Sequence, residues 1–160
     1  MDAVLKLLIW FLLFAGYSAP VVPVTTAPAP PIKEVFMEEP FVLHVGQMAA
    51  VNEGSLTITF DGVVEDSRCP KDVFCAWSGR AMAALSVGAA DKEAQMVEVG
   101  GFTDDDGSLQ PQGQISASAG VAGYTVELLA VTPYPAKADA PPAGKEYQVQ
   151  LVVSEGDAAP

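Results

Sequence analysis

The stretch FVLHVGQMAAVNEGSLTITFDGVVED (residues 41–66) decides the fold. Phe41, Leu43 and Val45 alternate with Val42 and His44, and Pro40 and Gly46 bound that run. After the turn Asn52-Glu53-Gly54-Ser55, Leu56, Ile58 and Phe60 alternate with Thr57, Thr59 and Asp61. A period of two places apolar side chains on one face of a pleated strand, whereas a helix needs them three and four apart. Outward from this stretch, residues 47–51, 80–87, 94–99, 115–119, 124–131 and 147–153 read as further strands, separated by Gly, Asp, Asn and Pro. Residues 80–87 are alanine-rich, but Gly79 and Gly88 bracket them at strand length. The pattern predicts an all-β domain of about eight short antiparallel strands, closed as a two-sheet sandwich or a small barrel. Two long connections interrupt it: the polar, glycine-rich residues 100–113 and the proline-rich residues 133–145.

The domain predicted in this way spans residues 34–154, followed by a fraying tail at 155–160. Residues 1–19 (MDAVLKLLIWFLLFAGYSA) carry Lys6, an apolar run from Leu7 to Tyr17 and then small residues. That is the pattern of a secretory signal, with a cut after Ser18. The alternative is an uncleaved anchor, with residues 4–19 tethering the chain to a membrane. Residues 20–33 (PVVPVTTAPAPPIK) favour an extended, semi-rigid spacer.

Composition narrows the function. Eight Lys and Arg against twenty Asp and Glu give a formal charge of −12, which repels phosphate backbones and argues against nucleic acid as a partner. His44 is the only histidine and sits on the polar face of its strand, leaving a Ser-His-Asp or Cys-His arrangement without partners. No enzyme is predicted. Asp104, Asp105 and Asp106, followed by Gly107, are the best metal candidate, because clustered carboxylates suit calcium; the ligating glutamate of an EF-hand is missing. A solvated acidic loop tip is the simpler reading.

The least ordinary segment is EDSRCPKDVFCAWSG (residues 65–79). Cys69 and Cys75 are the only cysteines, and with an export leader they are expected to form a disulfide in an oxidising extracytoplasmic compartment. Five intervening residues fit a redox pair poorly, and a zinc site would lack ligands. Arg68 lies among Glu65, Asp66 and Asp72, so the guanidinium is expected to bind one of these carboxylates and loop carbonyls, fixing the loop. Asp66 and Ser67 are natural turn formers. Trp77 reads either as an aromatic packed on the disulfide or as a contact platform with Lys71 and Phe74.

The pattern D-S-R-C-P-x-D-V-x-C-x-W-x-G at residues 66–79 resembles that of a group of uncharacterised bacterial exported proteins and lipoproteins. The resemblance extends to F-x-L-x-x-G-Q at residues 41–47, and to Gly123-Tyr124, Leu128, residues 131–135 and residues 147–153. It implies an exported β domain with a disulfide-closed loop and brings no activity with it. This chain lacks the lipidated cysteine of the lipoprotein members. The expected role is therefore a non-catalytic binding or cell-envelope accessory module that presents the clamped loop to a protein or glycan ligand. Two alternatives stand beside it: a protease inhibitor offering Lys71, and a calcium-dependent adhesion module.

Overall fold

The computed structural model describes residues 32–77, 79–90, 92–104, 108–109, 116–140 and 142–156. Among these residues, nine strands form two sheets. The first has the order β1 (Ile32–Val35), β3 (Met48–Val51), β4 (Leu56–Asp66), β5 (Arg80–Ala89), β6 (Gln95–Phe102). The second has the order β2 (Phe41–His44), β9 (Gln148–Glu155), β8 (Tyr124–Thr132), β7 (Ser118–Val121). Neither sheet closes on itself, so the two-sheet arrangement is found and the barrel alternative falls.

Both sheets contribute to one core, for the reason the alternation gives. Leu56, Ile58 and Phe60 of β4 are fully buried, as are Val149, Leu151 and Val153 of β9, while their neighbours along each strand are more exposed. The alanine-rich segment is a central strand whose Ala81, Ala83, Leu85 and Val87 are all fully buried. Each fully buried Leu, Ile or Phe contributes about 1.5–3 kcal/mol relative to exposure. His44 is exposed on β2.

Four expectations are corrected. Ile32 and Lys33, placed in the spacer, belong to β1, which pairs in parallel with β3 rather than antiparallel like the other ladders. Gly100 and Gly101, placed in a loop, continue β6 opposite Met82 and Ala81. A Cβ on Gly100 would fall onto the Ala81 carbonyl, so close strand approach is what that glycine supplies. The strand expected at 115–119 is β7, at Ser118–Val121. Glu155, placed in the tail, ends β9 opposite Tyr124. Residues 1–31, with the leader and most of the spacer, lie outside the described residues. No helix among the described residues is long and apolar enough to cross a membrane.

One end of the molecule gathers three connections. The segment between β4 and β5 carries both cysteines, β6 runs on into Thr103 and Asp104, and residues 133–147 lead from β8 to β9. Here the two sheets are joined by side chains as well as by the core.

Candidate functional site

The joint is Arg68. Its side chain is buried, and the residue is only 3% exposed. The guanidinium donates to Asp66 as a fork, from Nε to Oδ1 at 2.8 Å and from Nη2 to Oδ2 at 2.6 Å. Nη1 donates to the Val131 carbonyl at 2.6 Å and Nη2 to the Pro133 carbonyl at 3.0 Å, both at the exit of β8. The Tyr134 ring lies 5.0 Å from the guanidinium carbon. From the entry of β9, the Tyr147 hydroxyl donates to Asp66 Oδ2 at 2.8 Å. Asp66 ends β4 of the first sheet and Arg68 follows it, while Val131 lies in β8 of the second sheet and Pro133 and Tyr147 sit in the β8–β9 connection. One planar cation thus ties the sheets together, and its buried charge is tolerable because it is paired and its donors are used.

Two proton equilibria record this arrangement. Burial pushes the Asp66 carboxyl up, but the hydrogen bonds from Arg68 and Tyr147 outweigh it and hold the group below its ordinary value. Burial, and then the bond to the Asp66 carboxylate, push the Tyr147 phenol up to about 12. A second fork, Arg80 to Glu65 at 2.6 Å, lies in the solvent beside the first and lowers the Glu65 carboxyl through the Arg80 hydrogen bond.

The loop mounted on this joint closes tightly at its base. The Ser67 amide donates to the Arg80 carbonyl at 2.8 Å, and the Arg80 amide donates back to Ser67 Oγ at 3.1 Å. Gly79 sits against Ser67 with φ +70°, and any Cβ there would fall into the Ser67 carbonyl. Cys69 and Cys75 form the expected disulfide, with Cα atoms 5.9 Å apart.

The two halves of the loop are held by different means. The first half is tied to the β8–β9 connection: the Lys71 amide donates to the Pro135 carbonyl at 3.1 Å, and Asp72 Oδ1 accepts from the Ala138 amide at 3.0 Å. The Arg68 amide donates to Asp66 Oδ1 at 3.2 Å, the turn expected from Asp66. In the second half, from Phe74 to Trp77, the bond through Cys75 is the only such tie among the described residues. Phe74 is 101% exposed and Trp77 79% exposed. Trp77 is therefore neither core nor a lid on the disulfide. Both rings stand in water, Phe74 inside the covalently closed turn and Trp77 two residues beyond it.

Beside the loop is a cleft of about 440 Å³, lined by Cys69, Pro70, Lys71, Val73, Thr103, Asp104 and Tyr134. The Lys71 ammonium lies 5.5 Å from the Tyr134 ring centre. Thr103 is 4% exposed, and among the described residues its Oγ1 is the one buried side-chain polar atom with no hydrogen-bond partner. A buried hydroxyl left in that state costs about 1–3 kcal/mol.

The sequence-predicted residues thus divide. Asp66 and Arg68 meet in the fork, and Glu65 turns to Arg80. Asp72 serves the loop and not the guanidinium. Lys71 lines the cleft, whereas Phe74 and Trp77 do not. Asp104 lies at the cleft, while Asp105 and Asp106 lie outside the described residues. No group of three or more His, Cys, Asp or Glu suited to a metal occurs among the described residues. Sequence reasoning missed Tyr147, Tyr134 and Thr103. Tyr147 immediately precedes the last strand and had the signal of a polar-tipped aromatic at a strand entry, whereas Thr103, beside three aspartates, reads as loop. No protein-family model, curated protein or solved structure matches this chain.

Proposed function

We propose that the chain is an exported, non-catalytic binding module of the cell envelope, and that its contact surface is the Cys69–Cys75 loop. The observation that carries this reading is the exposure to water of two large rings, Phe74 and Trp77, beside a turn whose first half and base are well fixed. Aromatic anchors on preorganised loops lose little conformational entropy on binding and dominate many interfaces. A disulfide fits the oxidising conditions outside the cytosol. The ties of Lys71 to the β8–β9 connection weigh against the loop as a protease substrate mimic, because an extended, free backbone is what a protease pocket takes.

The test is binding of the fluorescently labelled chain to the isolated envelope of the producing cell. Saturable binding is expected, lost in the double variant F74A/W77A, whose melting midpoint stays at the wild-type value because exposed side chains contribute within about 0.5 kcal/mol. Undiminished binding by the double variant, or its unfolding, overturns the proposal.

A further inference from the structure

We infer that the cleft between the Cys69–Cys75 loop and the end of β6 binds a neutral oligosaccharide. This rests on the reading of the loop as a contact surface and names the ligand class that the surface takes. The cleft's volume of about 440 Å³ is too large for an ion and falls within the range of roughly 300–1,000 Å³ typical of small-molecule sites.

Its lining mixes groups that seldom suit one simple ligand. The Lys71 ammonium donates, the Asp104 carboxylate accepts, and the Thr103 hydroxyl can do either. Pro70, Val73 and the Tyr134 ring supply apolar surface between them. A sugar matches this set, since its hydroxyls both donate and accept while its C–H face packs on apolar and aromatic groups. Charge narrows the choice further. A formal charge of −12, with Asp104 in the wall, disfavours an anion, and Lys71 in the same wall disfavours a cation. A neutral ligand meets neither penalty.

Thr103 is the second, independent observation. Its hydroxyl is more than nine-tenths buried and has no partner among the described residues, on a residue that lines the cleft.

Native-gel affinity electrophoresis of the purified chain tests this, with hydroxyethylcellulose, glucomannan, soluble starch or glycol chitin in the gel, and polygalacturonate as the anionic control. Retardation is expected with at least one neutral polymer and not with polygalacturonate. Thr103→Val, which keeps the shape and removes the hydroxyl, should weaken that retardation about tenfold, the equivalent of one hydrogen bond. Its melting midpoint should be at or above the wild-type value. Thr103→Ser, which restores a hydroxyl, should recover most of the binding. Absence of retardation by every neutral polymer, retardation by polygalacturonate alone, or full binding by Thr103→Val each overturns the inference. If envelope binding is lost in F74A/W77A while no neutral polymer retards the chain, the loop surface stands, its ligand is a protein face, and the oligosaccharide assignment falls by itself.

Discussion

Replacing Arg68 by methionine keeps the length and most of the volume of the side chain, and removes the guanidinium that joins the sheets. Asp66 then loses both arms of its fork and keeps only the Tyr147 hydroxyl and the amide of residue 68. The carbonyls of Val131 and Pro133 lose their donor as well. Removing one partner of a buried ion pair costs about 3–5 kcal/mol, mostly through the charge left behind. The two carbonyls add less than their separate values, because the network acts as a unit. A total near 4 kcal/mol lowers the melting midpoint by about 15 °C in a domain of this length. The loss should depend on pH, which distinguishes it from simple packing damage. Asp66 has its carboxyl held below the ordinary value of 3.8, so its contribution is complete above that pH and disappears as pH falls through the lower, folded value. Urea unfolding of wild type, R68M, D66N and D66N/R68M at neutral pH and at roughly pH 3 measures this. The double variant should be less damaged than the sum of the single ones. A loss under about 1 kcal/mol for R68M at neutral pH, or one equally large near pH 3, would refute the reasoning.

Two further outcomes follow from the same end of the molecule. Replacing both cysteines by alanine releases a loop closed over a sequence separation of 6, worth roughly 2.4 kcal/mol in chain entropy, and urea unfolding reads that value. In the same variant, amide exchange should accelerate strongly at residues 74–77 and little at residues 68–72; uniform acceleration would contradict the division of the loop. For Tyr147, whose folded value of about 12 lies above its ordinary 10.0, the contribution is complete below pH 10 and lost as pH rises toward 12. Tyr147→Phe should therefore be less stable than wild type at neutral pH by about 1 kcal/mol and should lose less than wild type between pH 10 and 12, as urea unfolding at the two limits would show.

Much of this architecture was legible because burial writes a period into the sequence. Leu56, Ile58 and Phe60 announce a strand with one dry face, and β4 has that face. β1 was hidden for the complementary reason. It is an edge strand held by backbone hydrogen bonds, with Ile32, Lys33 and Glu34 all exposed, and it carries no apolar rhythm. Gly100 and Gly101 were hidden because glycine signals turns, while here it allows two strands to approach closely. In the site, a carboxylate partner for Arg68 could be read from its neighbours Glu65, Asp66 and Asp72, but the fold selects Asp66 among them. Tyr147 lies 81 positions away from Asp66, and only the meeting of two sheets makes it a partner. The exposure of Trp77 had no local signature, since the same ring beside a disulfide serves equally well in a core.

The unequal anchoring of the loop has a consequence for how such a domain can change. Everything that orients the turn lies in its first half and at its base: the guanidinium fork, the Lys71 and Asp72 ties, and the close contact of Gly79 with Ser67. Between Val73 and Trp77 only Cys75 adds framework, through its disulfide. Phe74 and Trp77 stand exposed and can be exchanged with little folding penalty, so this part of the turn is free to vary while the rest of the chain is left untouched.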